Sequence, residues 1–237
     1  MSRLPREPVP PDVFFQDVVP AIFAEFHLEE QEREARIKLG VVLGVASEDA
    51  NASEPGGAWT LQLEAGELAI SDGRADDCDV TIVQSVDDWR SALWGGHPRL
   101  VADLVEAIDE AKPQELRTIG DANRPQNPAA LEELAELRGR IDAVIAGEGV
   151  GPGEGGADDD WRIGIVVGSG PIPDAADATI RLGAEEAEAM RRGELHPVEA
   201  LITGQLRLEG DLGLIIRLQA IAMSSSMPAR KPPNPKR

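Results

Sequence analysis

An α+β fold made of two related units is what this sequence predicts. Three observations carry that expectation. Segments that alternate in hydrophobicity at every second residue are interspersed with segments of helical period. Gly- and Pro-rich breaks punctuate them. A similar series of elements then occurs twice along the 237 residues.

Residues 1–12 hold four prolines and read as an extended lead-in. From Val13, the positions Phe14, Val18, Ile22 and Phe26 recur at helical spacing, with Phe15, Val19 and Phe23 beside them. Pro20 should kink this helix or split it in two. Val41, Leu43 and Val45 alternate as a strand, and Trp59, Leu61 and Leu63 start a hairpin that turns at Ala65-Gly66 and resumes at Leu68 and Ile70. Val80 and Ile82 mark the next strand. Ser85 and Asp88 form a capping box for a helix through Trp89, Leu93 and Trp94 that stops at Gly95-Gly96. Residues 98–111 read as helical, and 112–128 break up around three prolines.

A second series follows. Leu131, Leu134, Leu137, Ile141 and Ile145 fit one helical stripe, ended by the glycine run from Gly149 to Gly156. Trp161, Ile163, Ile165 and Val167 alternate as a strand, as do Ile180 and Leu182. Residues 184–192 form a short helix closed by Gly193. Another opens at His196-Pro197 and closes at Gly204. Leu206 and Leu208 give a last strand, and Asp211 caps a helix over Leu212–Met223. Residues 224–237 read as a disordered basic tail.

Composition narrows the function classes. Hydrophobic residues make up 42%, enough for a core. All four Phe precede residue 27, so the later core must be largely aliphatic. The 43 acidic against 23 basic residues give a net charge of −20, which repels phosphate backbones and argues against nucleic-acid binding. Without an apolar signal core or a span of roughly 20 apolar residues, the chain reads as soluble and cytoplasmic, without stable membrane insertion. The single Cys78 excludes an internal disulfide.

The two series correspond. Trp59-Thr-Leu-Gln-Leu matches Trp161-Arg-Ile-Gly-Ile, Asp79-Val-Thr-Ile matches Asp177-Ala-Thr-Ile, and His97-Pro98 matches His196-Pro197. A duplicated unit is the economical explanation, with a lead-in at 1–12, units at 13–128 and 129–223, and the tail at 224–237. From Asp177-Ala-Thr-Ile through Gly193-Glu-Leu-His-Pro and Ala200-Leu-Ile-Thr-Gly-Gln-Leu-Arg-Leu to Gly210-Asp211, the second unit resembles the sterol carrier protein type 2 (nonspecific lipid-transfer) domain family. The resemblance is fainter in the first unit. It implies a mostly antiparallel five-stranded sheet covered on one face by helices. It also implies an apolar tunnel for a sterol, fatty acid or acyl chain, and no catalytic residues. Two departures stand out. The first unit has Pro125 and Pro128 where a closing helix should follow Asp121, and the second has Pro171 and Pro173 within its strand region.

Other chemistry fares worse. The glycine run holds Glu154 and leads into Asp158-Asp159-Asp160 and a strand, so it reads as a linker rather than a phosphate loop. Asp72, Asp76, Asp77 and Asp79 match no EF-hand spacing and suit turns. His27, His97 and His196 are dispersed, and Cys78 sits among acidic neighbours that disfavour a thiolate. No catalytic residue, metal or cofactor is expected.

The helix at 212–223 is apolar around most of its circumference, which is open to packing between units, a ligand tunnel or a partner surface. The residues expected to line a tunnel are Met190, Leu201, Ile202, Leu206, Leu208, Leu214, Ile215, Leu218 and Ile221. The reading is a non-catalytic carrier of a hydrophobic small molecule. The alternative is a structural or adaptor protein whose units pack as a pseudo-dimer without ligand, accessory to a lipid- or quinone-modifying complex. The basic tail is either a solvated end or a peptide for a protein partner.

Overall fold

A computed structural model describes residues 4–25, 36–44, 56–96, 98, 136–147 and 160–217. The strands are β1 (Ile37–Leu43), β2 (Gly57–Glu64), β3 (Glu67–Asp72), β4 (Val80–Gln84), β5 (Gly139–Ala146), β6 (Trp161–Val167), β7 (Ala178–Gly183) and β8 (Leu206–Gly210). They form one continuous sheet in the order β3-β2-β1-β4-β6-β5-β7-β8, not two separate sheets. Among the described strands only β1–β4 and β5–β7 are parallel pairs. The class is the α+β expected, with a mostly antiparallel sheet.

Among the described residues the helices are α1 (Pro11–Val13), α2 (Val19–Ala24), α3 (Val86–Trp94), α4 (Ala184–Arg191), α5 (Pro197–Ile202) and α6 (residues 212–217). Between α1 and α2 runs a π-helical stretch, Phe14–Val18, in which the Val19 N–H bonds to the Phe14 carbonyl. This widened turn comes just before Pro20, which has no N–H to continue the α ladder. The predicted break is thus a change of pitch. The lead-in is docked rather than loose. Leu4 is buried, and the Trp94 indole N–H donates to the Pro5 carbonyl at 2.8 Å.

The helical stripe predicted through Ile141 and Ile145 is a strand, β5. A four-residue spacing fits one turn of helix and also the second-nearest position on a strand face, and Ala143 between the two isoleucines favours neither. The predicted caps are in place. The Asp88 N–H donates to Ser85 Oγ at 3.0 Å, and the Leu214 N–H to Asp211 Oδ1 at 3.1 Å. His196 Nδ1 accepts from the Val198 N–H at 3.3 Å, and Ala65-Gly66 turns the hairpin with both φ angles positive.

A shared three-strand pattern appears on each side of the sheet. β1 pairs antiparallel with β2 and parallel with β4, as β5 does with β6 and β7. The same side-chain device starts both parallel pairs. The Asp79 carboxylate accepts from the Lys38 N–H at 2.7 Å, and the Asp177 carboxylate from the Arg140 N–H at 2.8 Å. Each aspartate's own N–H returns a bond to the same residue's carbonyl, at 2.8 Å in both cases.

Each side is completed by the other. On the second side β8 runs antiparallel along β7, and the Asp211 N–H bonds to the Asp177 carbonyl at 2.7 Å. On the first side β6 takes that position along β4, and the Gly168 N–H bonds to the Asp79 carbonyl at 2.8 Å. Residues 168–177, with Pro171 and Pro173, form no strand, so the outer edge of β6 is free to receive β4. Side chains reinforce the seam. Trp161 Nε1 donates to the Asp88 carbonyl at 2.9 Å, and Gln84 Nε2 to the Arg162 carbonyl at 3.0 Å. Val42, Val83 and Val166 bury one another across it on the face away from the main core.

The seam predicts that residues 1–128 and 129–237, produced separately, will not reach their native structure, whereas the full chain will melt in one transition. Calorimetry and amide NMR spectra of the three polypeptides check this. Dispersed spectra from both fragments alone would contradict it. Asp88 adds a pH signature. Burial holds its carboxyl above the ordinary carboxylate range, against bonds from Ser85 and Arg162 that act the other way. The folded state thus binds this proton more tightly than the unfolded chain, and the charged form costs stability above that range. Lowering the pH from about 6.5 to about 4 should improve wild-type stability relative to Asp88→Asn. A pH-independent difference in denaturant titrations would refute this.

Candidate functional site

The inner face of the sheet is closed differently on its two sides. On the first, aromatic rings fill it. Phe15 stacks on Trp59 at 4.5 Å between centroids, and Phe14 meets Trp89 edge-on at 5.1 Å. With Leu4, Val41, Leu43 and Val86 they form one buried cluster. Beside the rings, Ile70, Leu61, Leu39 and Val80 lie in register across β3, β2, β1 and β4 and are half-buried.

On the second side the face is aliphatic and arranged in rows across β6, β5, β7 and β8. One row, Trp161, Ile145, Leu182 and Leu206, is buried in register. Ala187 of α4 and Ala92 of α3 pack in its cluster. A second row contains Ile141 and Ala178, and Leu214 of α6, 1% exposed, seals it with Leu137 and Val167. Gly139 makes that approach possible, because a Cβ there would lie 2.7 Å from Leu214 Cδ2.

Between the two sealed rows lies a third: Ile163, Ala143, Ile180 and Leu208, in register across the same four strands. All four are only half-buried. Ile180 packs against both neighbouring clusters, Met190 against the one under α4, and Ile215 against the one under α6. Ile165, 37% exposed, is the β6 member of the second row, so that row is closed at β5 and β7 and open at β6. Three interstrand steps of about 4.8 Å make the third row an aliphatic trough about 14 Å long. No charged side chain is among the residues forming it. Its chemistry is that of apolar contact alone.

The expected lining residues divide. Leu208 lies in the trough, and Met190 and Ile215 pack beside it. Leu206 and Leu214 belong to the sealed rows. Leu201 and Ile202 point outward, with Ile202 80% exposed. Leu218 and Ile221 lie outside the described residues. Ile163, Ala143 and Ile180 are trough residues that the sequence pattern does not single out. The period-two alternation around Ile163 and Ile180 is visible, but Ala143 lies in a segment with helical spacing, and which residues share a row depends on strand register.

The polar candidates serve structure. Asp72 accepts from Gln16 Nε2 at 2.9 Å, Asp76 faces Arg74 at 3.5 Å, and Asp79 caps β1. Asp77 meets Lys38 Nζ at 2.6 Å, and that hydrogen bond holds its carboxyl below the ordinary range. Cys78 is a buried free thiol. Among the described residues no three His, Cys, Asp or Glu gather as a metal site, and no helix is long and apolar enough to cross a membrane. His27, His97 and the run from Gly149 to Gly156 lie outside the described residues.

Residues 120–223 match the family described as the SCP-2 sterol transfer family, over the part of the chain where the resemblance is clearest. Sterol carrier protein 2 of Rattus norvegicus is 30% identical over 96 residues, 39% of this chain and 17% of that protein. Stomatin-like protein 1 of Mus musculus is 24% identical over 189 residues, 69% of this chain and 47% of that protein. The chain therefore spans less than half the length of either relative. Among solved structures, Sterol Carrier Protein 2 Like 2 from Aedes aegypti aligns with a TM-score of 0.29 and 18% identity, over 47% of this chain and 93% of that one. The sterol carrier protein domain 2 of Helicoverpa armigera aligns with a TM-score of 0.29 and 16% identity, over 50% and 90%.

Exposure separates core from surface among the predicted lining residues. Leu214→Ala should cost about 2–5 kcal/mol, and Ile202→Ala no more than about 0.5 kcal/mol. Urea titration measures both. Similar losses at the two positions would contradict the placement.

Proposed function

We propose that the stretch similar to the SCP-2 sterol transfer family makes this chain a non-catalytic carrier of a hydrophobic small molecule with an extended alkyl portion. The observation that carries this reading is the half-buried row Ile163, Ala143, Ile180 and Leu208 between two sealed rows. A folded core ordinarily closes such a row against another element. An alkyl chain laid along it would complete the burial. Each methylene removed from water contributes about 0.8 kcal/mol, so about a dozen carbons gain on the order of 10 kcal/mol before the cost of association. Met190 and Ile215 would form the banks, and Leu218 and Ile221, outside the described residues, are proposed as further lipid contacts. The stretch similar to the SCP-2 family contains β5 to β8, which favours placing the ligand on the second side rather than on the half-buried row of the first.

A fluorescent long-chain fatty acid should therefore titrate saturably into the wild-type protein. Ile180→Phe, which fills the trough, should weaken that binding by about tenfold or more while circular dichroism stays unchanged. Ile37→Phe, at an exposed position of β1 on the other side, should bind as wild type. Organic extraction of freshly purified protein, read by mass spectrometry, would identify a resident lipid. An empty extract together with no saturable binding would favour the adaptor reading.

A further inference from the structure

Among the described residues the sheet ends at β8, and that edge has a self-complementary design. In the β7–β8 ladder the Asp211 N–H bonds to the Asp177 carbonyl, which sets the alternation of the pairs that follow. Glu209 and Arg207 are thereby hydrogen-bonded toward Thr179 and Arg181, and Leu206, Leu208 and Gly210 turn their N–H and C=O groups outward. A second strand can dock only by meeting those three residues.

We infer that β8 pairs antiparallel with β8 of a second copy of this chain, about a two-fold axis through Leu208, to form a homodimer with one continuous sheet. The register follows from the outward backbone groups. Leu208 meets its own symmetry mate, and Leu206 meets Gly210 of the second copy. Arg207 then lies directly opposite Glu209 of the second copy, in the non-hydrogen-bonded position where side chains approach most closely. The symmetry makes the pair twice, as an isologous interface requires.

Charge supports this register. Within one chain Arg207 is placed across from Arg181, a like-charge neighbour, and Arg181 is 3.7 Å from Glu209. Among the described residues Arg207 makes no ion pair. Glu209 of a second copy would supply its counter-charge. The opposite edge of the sheet offers nothing comparable, because β3 carries Glu67 and Asp72 and no basic residue.

The exposed apolar residues fall where the same symmetry needs them. α5 precedes β8 and packs against it, yet its stripe Val198, Leu201 and Ile202 faces outward, 48%, 44% and 80% exposed. α6 follows β8 and leaves Leu212 and Ile216 exposed at 47% and 62%. In the antiparallel dimer the α5 end of one strand lies beside the α6 end of the other. Each outward stripe therefore meets the other's exposed pair.

Sedimentation equilibrium of the full chain at about 0.15 M salt, where the repulsion of two chains of net charge −20 is screened within about 8 Å, tests this. The expected result is a concentration-dependent species of twice the 25.3 kDa chain mass. Arg207→Glu sets four carboxylates across the axis and should weaken the dimer by about tenfold or more. The exchange Arg207→Glu with Glu209→Arg should restore it. Arg181 then faces the carboxylate introduced at position 207, and the cross-axis pairs return with reversed sign. Circular dichroism confirms that both variants fold. A wild type that stays monomeric to about 100 μM, or an Arg207→Glu variant that dimerises like wild type, overturns the proposal, because a thousandfold lower affinity than nanomolar still gives micromolar association.

Discussion

The antiparallel pairing of β4 with β6 is the contact on which the rest of the molecule depends. A strand between two neighbours satisfies its backbone on both edges, and a buried edge without a neighbour leaves donors and acceptors unpaired at a cost of about 1–3 kcal/mol each. Thr81 is fully buried and Val83 nearly so, so the outer edge of β4 has no access to water as a substitute. β6 supplies the missing partner, and β4 does the same for β6, whose following residues 168–177 turn away without forming a strand. Two incomplete sets of strands thus become one sheet. The seam then fixes the position of β6 in the sheet, and β6 contributes Ile163 to the half-buried row.

The two sides are covered by different residues, although each keeps a half-buried aliphatic row. Five aromatic rings from Phe14, Phe15, Trp59, Trp89 and Trp94 pack over the first side, and α1, α2 and the docked lead-in lock them there. On the second side the covering residues are small or aliphatic. Ala187 and Ala92 cover one row, Leu214 covers another, and the half-buried row between them stays partly open. The net charge of −20 repels highly charged anionic surfaces, and the half-buried row itself carries no charged side chain.

Much of this was legible in the sequence because it is local. Ser85, Asp211 and His196 cap helices through residues two or three positions away, and Gly193 and Gly204 end helices with positive φ. The duplicated Asp-x-Thr-Ile signal marks the two aspartates that tie β4 to β1 and β7 to β5. What was not legible is non-local. Ile141 and Ile145 satisfied helical and strand spacing at once, and only pairing on both edges made β5 a strand. Nothing in the residues of β4 or β6 announces that two segments so distant in the chain will meet. The trough suffered most from this, since Ile163, Ala143 and Ile180 become neighbours only through that register, while Leu201 and Ile202 have suitable chemistry on an outward helix face.

Locating the ligand by contact decides whether the trough is its site. Isoleucine and leucine methyl groups labelled with carbon-13 can be observed in the presence of an unlabelled long-chain fatty acid, and intermolecular NOEs recorded. The alkyl chain should give NOEs to Ile163, Ile180 and Leu208, and none to Leu39 or Leu61 beneath the aromatic cluster. NOEs confined to Leu39 and Leu61, or spread over the exposed methyls of Leu201 and Ile202 with none at Ile180, would rule the trough out as the binding site.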